Sequence, residues 1–126
     1  MGRVAELGSL GIRMRTLCLN PDFDAILFWR DEQSRAVADD RALPFTDGLR
    51  QRLDEFYRWF SELYLSADEP RSRLDNRLFD DTGIELWEQL RSELQGQYQV
   101  TYYSQELAEY FETPELFRAT RKETYA

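Results

Sequence analysis

Four carboxylates fall close together early in the chain. Asp22 and Asp24 sit in the run PDFD, and Asp31 and Glu32 follow. Carboxylates at such spacing can hold Mg²⁺ or Ca²⁺, or work as a general acid and base. A calcium loop needs more oxygen ligands and a turn glycine, and this stretch has neither. Asx-turn chemistry after a strand accounts for Asp22 and Asp24 as well. Asp80 and Asp81 form a second carboxylate pair, which can equally cap a helix. The lone thiol, Cys18, lacks the partner that thiol chemistry usually recruits, because the chain has no histidine. Ser-His-Asp triads, Cys-His dyads and His-containing zinc sites are excluded with it. The expectation is that Cys18 packs in the core. No catalytic residue, metal ligand or cofactor is assigned from these groups.

The bulk properties narrow the classes further. At 126 residues the chain has the size of one domain. It carries 24 acids against 16 bases, a formal charge of -8. That balance disfavours nucleic acid, which needs clustered Lys and Arg, and adsorption to an anionic membrane. Hydrophobic residues make up 42% of the chain and aromatics 14%, enough for a packed core. No apolar run approaches the ~18 residues of a membrane span. The start, MGRVAELGSLGIRMR, has no apolar stretch of the kind a secretory signal needs. With a single cysteine, this predicts a reducing, cytoplasmic setting. Only Lys122 among the 16 bases is lysine, a bias that points to GC-rich bacterial coding.

The elements that would position these groups follow from periodicity. Ile12 to Leu19 alternates and predicts a strand, broken by Asn20-Pro21. Ala25 to Trp29 is a short apolar run, read as a second strand or a wedge into the core. Residues 30–44 read as a loop, long enough that part of it should be ordered. Leu49, Leu53, Phe56, Phe60 and Leu63 are spaced four, three, four, three, one stripe of a helix over 46–65. Thr46 is its expected N-cap, and Phe45 its staple. A polar connection over 66–76 leads to a second helix over 77–95, or one starting near 81 if Asp80, Asp81 and Thr82 cap it. Gly96 is placed to end that helix. Tyr98 to Tyr103 alternates as a strand of β-forming residues. Ser104 then caps a short helix over 105–112, and Pro114 opens a last one. The predicted fold is two-layer α+β: a small sheet covered on one face by two amphipathic helices, plus short C-terminal helices. An all-helical fold is the alternative. Residues 1–10 are expected to be a loose segment, 11–120 a single domain, and 121–126 a frayed end.

Charge is distributed unevenly. Residues 79–116 hold nine acids and one base, Arg91, an excess equal to the net charge of the whole chain. Asp81, Glu85 and Glu88 share one side of the second helix. Glu106 and Glu109 share a face of the expected short helix. Such an acidic stretch serves either as a solvated surface or as a docking face for a basic protein. The aromatics Tyr57, Trp59, Tyr64, Tyr98, Tyr102, Tyr103 and Tyr110 lack the positive charge of a base-stacking platform. Most therefore belong to the core, and a few to contact with a protein partner.

Three stretches, LNPDFDAILFW, LPFTDGLRQRLDEFYRWF and LWEQLRSEL with YQVTYY, stand in an order that resembles small acidic bacterial immunity proteins. Proteins of that kind are found beside secreted or contact-delivered toxins. The resemblance covers roughly residues 12–103, and its motifs are structural. It implies a non-enzymatic protein that binds and occludes a cognate toxin domain with a basic surface. The expected contact residues are Glu106, Glu109 and Glu112, with Tyr103 and Tyr110 beside them. An adaptor or secretion chaperone, and a carboxylate-based metal hydrolase using Asp22, Asp24, Asp80 or Asp81, are the alternatives. A homodimer through exposed aromatics is also compatible with the sequence.

Overall fold

In a computed structural model, residues 14–22, 25–30, 35–65 and 73–124 are described. Strands β1 (Arg15–Leu19), β2 (Leu27–Arg30) and β3 (Arg35–Val37) come first. Helices α1 (Asp47–Phe60) and α2 (Arg73–Glu93) follow, then β4 (Tyr98–Ser104), β5 (Glu109–Phe111) and helix α3 (Pro114–Thr124). The sheet order is β3-β2-β1-β4-β5. Neighbours are antiparallel except β1 and β4, which run parallel. A parallel pair needs a long crossover, and α1 with α2 supplies it. The α+β class expected from the sequence is the class observed.

Register assigns the two faces of the sheet. Leu17 lies beside Val100 and Trp29, and Leu19 beside Tyr102 and Leu27. Tyr102 lies beside Phe111. Side chains alternate along a strand, so these residues share the face toward the helices. Leu17, Leu19, Leu27, Val100, Tyr102 and Phe111 join one core with Leu49, Leu53, Phe56 and Phe60 of α1 and with Trp87, Leu90 and Leu94 of α2. Phe56 stacks on Phe79 at 4.2 Å, fastening the two helices together. Cys18 is buried as expected, but it lies on the sheet face away from the helices, paired with Phe28 and Thr101.

The first helix starts where predicted. The Thr46 hydroxyl accepts from the Leu49 amide at 3.3 Å. Thr46 also donates twice to Glu93 at the far end of α2, from its amide at 2.7 Å and its hydroxyl at 3.1 Å. Burial pushes the Glu93 carboxyl upward, but the Thr46 amide, Gln89 and the Thr46 hydroxyl outweigh it and hold it below the usual carboxylate range. The α-helix ends at Phe60, and Ser61–Leu65 form a wider π turn in place of the expected α-helical finish. Ser61 Oγ donates back to the Tyr57 carbonyl at 3.1 Å, a bond that competes with the helix ladder.

Other elements differ from expectation. Residues 35–37 form β3, and 40–42 a 3₁₀ turn, inside the stretch read as loop. Helix α2 begins at Arg73, so Asp80 and Asp81 are interior helix residues and not caps. Gly96 ends α2 as predicted, with φ of 83° and the Gln97 amide returned to the Leu94 carbonyl at 3.0 Å. The expected helix over 105–112 is a single turn followed by β5. Ser104 Oγ does accept from the Leu107 amide at 2.9 Å, as a helix cap would. Ala108 then takes φ of 55°, which stops the helix and returns the chain as a strand. The C-terminal residues 121–124, expected to fray, continue α3, because Arg121 is tied to α2.

Thr46→Ala removes the cap and the hydroxyl's bond to Glu93, while the amide of residue 46 keeps its own. It should destabilise the protein by about 1–2 kcal/mol, read as a lower urea midpoint at unchanged m-value.

Candidate functional site

The surface chemistry is decided first by which acids remain free. The row on α2 is exposed, but each member faces an arginine from another helix. Arg121 Nη1 is 2.7 Å from Asp81, Arg118 Nη2 is 3.0 Å from Glu88, and Arg52 Nη2 is 3.8 Å from Glu85. The α2 acids therefore act between helices. Glu106 is withdrawn as well: its side chain has 0% exposure and lies 2.8 Å from Arg121 Nη2. It is not on the docking face that the sequence assigned to it. The reason is the lost helix, since the turn at 104–108 rotates Glu106 inward under α3. Glu109, Glu112 and Glu115 are exposed, with no ion pair or side-chain hydrogen bond to any described residue.

Asp80 organises this end of the molecule. It has 0% exposure on the inner side of α2. Its carboxylate accepts from Tyr102 Oη at 2.6 Å, Ser104 Oγ at 2.5 Å, and the amides of Gln105 at 3.0 Å and Glu106 at 3.1 Å. Burial raises its pKa and exceeds the opposing pull of the four hydrogen bonds. Tyr102 reaches Asp80 by lying against Gly83, where a Cβ would fall 2.2 Å from its hydroxyl. Its ring also stacks on Trp87 at 5.4 Å. The sequence held a signal for this: Asp80 is four residues before Ile84 and seven before Trp87, on the apolar stripe of α2. Read as a cap, it was missed as a buried anchor. Asp24, Asp31 and Glu32 lie outside the described residues. Among the described residues no group of three or more His, Cys, Asp or Glu is placed to hold a metal ion.

The face away from the helices carries the expected aromatics. Tyr103 and Tyr110 pair across β4 and β5 with ring centroids 4.9 Å apart and planes at 66°. Tyr110 is 39% exposed, so half of the expected pair is open to contact. Asn20 Nδ2 donates to the Tyr110 hydroxyl at 3.4 Å, and the Arg30 guanidinium lies 4.4 Å over its ring. Strand β5 covers only residues 102–104 of β4, so the earlier part of β4 borders a groove of about 690 Å³. Glu112 lines this groove, so the structure keeps Tyr103, Tyr110, Glu109 and Glu112 at one end of the sheet.

With this geometry in place, a family model described as Serratia CdiI immunity protein-like matches residues 15–105. The chain belongs to that family. The match begins at β1 and ends in the turn after β4, so it spans both long helices, the buried Asp80 and its Tyr102 and Ser104 donors. Strand β5 and helix α3 lie beyond the matched stretch of the family. No curated protein matches the chain. No helix among the described residues is long and apolar enough to cross a membrane.

Asp80→Asn turns an amide nitrogen toward one of two fixed backbone donors. It should cost about 1–3 kcal/mol in urea denaturation. The raised carboxyl adds a pH signature. The stability carried by protonated Asp80 is fully present below the usual 3.8 and is lost as pH rises through its higher folded value. The advantage of wild type over Asp80→Asn should therefore be greatest in acid and shrink toward neutral pH. Gly83→Ala should destabilise by about 1–3 kcal/mol despite better helix propensity, because Tyr102 has no room to stay in place.

Proposed function

We propose that this chain is a non-catalytic immunity protein that binds a cognate toxin domain in the cytoplasm and blocks it by occlusion. Membership of the immunity family carries this reading. The disposition of charge supports it. Most carboxylates of the 79–116 stretch are engaged in holding the fold, which leaves little for acid–base work. The three that stay free, Glu109, Glu112 and Glu115, follow one another from β5 into the start of α3, beside the exposed Tyr110. A formal charge of -8 draws a basic partner over long range and speeds encounter. Tyr110, already pinned by Asn20 and Arg30, is a rigid anchor whose burial would slow dissociation. The same field disfavours nucleic acid as a partner.

The test uses the toxin domain encoded by the neighbouring gene. Adding the wild-type chain should abolish that domain's activity at a one-to-one ratio. A stable complex with full toxin activity would replace inhibition with an adaptor or chaperone role. Reversal of both free glutamates, Glu109→Arg with Glu112→Arg, should slow association and flatten its dependence on salt. Stopped-flow association at several ionic strengths reads both effects. An unchanged rate would remove these acids from the contact surface.

A further inference from the structure

The groove beside β4 holds a second charge pattern that the acidic surface does not explain. Arg30 at the end of β2 and Arg91 in the last turn of α2 both line it. Both are exposed, and neither has an ion pair with any described residue. Arg50, Arg52, Arg118 and Arg121, by contrast, each face a carboxylate. Arg91 is the one base in a stretch of nine acids, and the fold turns it into the groove. A helix dipole favours a base in the last turn on any side of the helix. It does not account for a second unpaired arginine, from a different strand, in the same groove.

The remaining lining is mixed: Met14, Tyr98 and Val100 are apolar, the Thr16 hydroxyl donates to Gln99 Oε1 and the Thr101 hydroxyl to the Leu17 carbonyl, and Glu112 brings one negative charge. Arg30 is held in place from one side, its guanidinium lying over the Tyr110 ring, which leaves its N–H edge available. A polyanion does not fit, because Glu112 is in the groove and the net charge of the chain repels it. A protein segment that carries a carboxylate among polar residues does fit, with Arg91 as its charge-assisted donor and Arg30 as a second positive charge.

We infer that this groove is a specificity pocket for an acidic side chain of the toxin domain, taken up by Arg91, with Arg30 supplying a second positive charge in the same groove. The inference rests on the immunity reading above. The long-range field then brings the basic partner in, and the groove checks it by one charge of opposite sign. A non-cognate toxin with a lysine or arginine at that point meets two unpaired cations, which is discrimination by repulsion.

The experiment measures affinity for the neighbouring-gene toxin domain by calorimetry, with wild type, Arg91→Glu, Arg30→Glu and Arg91→Gln. Thermal unfolding of each variant confirms that the fold is retained. The expected result is roughly a tenfold or greater loss for Arg91→Glu, a smaller loss for Arg91→Gln, and a faster off-rate in both. Replacing one acid of the toxin surface at a time by arginine should find a position that restores binding to Arg91→Glu. Affinities of the folded variants equal to wild type, or tighter binding on charge reversal, would overturn the pocket while leaving the immunity reading intact. If wild type neither binds nor inhibits the toxin, the immunity reading fails, and the pocket fails with it.

Discussion

A carboxylate shut away from water sits between the middle of α2 and the end of β4, and four donors converge on it. Leaving Asp80 unpaired there would carry the full cost of a buried polar group. The chain supplies two hydroxyls from β4 and two amides from the turn that follows. Those amides belong to Gln105 and Glu106, so the carboxylate dictates the path of the chain as it leaves the sheet. The path sets where β5 lies, and β5 carries Glu109 and Tyr110. Tyr102 can reach the carboxylate only because Gly83 leaves space on the helix. A helix-weakening residue and a buried acid are thus two parts of one contact.

The distribution of charge follows from the same geometry. A segment with eight excess negatives would repel itself if it were left bare. Arginines from α1 and α3 lie along α2 and meet its acids, and Arg121 bridges Asp81 and Glu106 at once. The exposed pairs, Arg52 with Glu85 and Arg118 with Glu88, add little stability individually. Their effect here is to tie up most of the acids of this segment within the fold. Within that segment, the carboxylates that meet no base among the described residues lie near the β5 end, beside a groove lined by Arg30 and Arg91. The exposed surface is more varied in sign than the composition alone conveys.

The family match covers β1 through β4 with both long helices and stops in the turn that Asp80 holds. The matched stretch therefore contains the scaffold and the anchor. Beyond it, β5 carries Glu109 and Tyr110, α3 carries Glu115, and Glu112 lies between the two elements and lines the groove.

Local sequence was sufficient where one physical signal dominated. The stripe of α1, its Thr46 cap, the Gly96 stop and the alternation of β4 are short-range effects, and all appear as expected. The α+β class follows from them, because amphipathic helices and a half-apolar sheet have to cover one another. Three features were not decided by local sequence. Ser104 caps one turn as its type predicts, but Ala108 in the left-handed region ends it, and only the pairing of β5 with β4 makes that conformation worthwhile. The acids of α2 look like a free face until α1 and α3 are docked. Asp80 reads as a helix cap until the sheet brings Tyr102 and Ser104 to it. Sequence by itself determined α1, β1, β4 and the stop of α2, the acidity and the lack of histidine chemistry. Tertiary structure alone decided which charges are spent inside the fold and which stay exposed, because ion pairs and buried acceptors depend on neighbours distant in the chain.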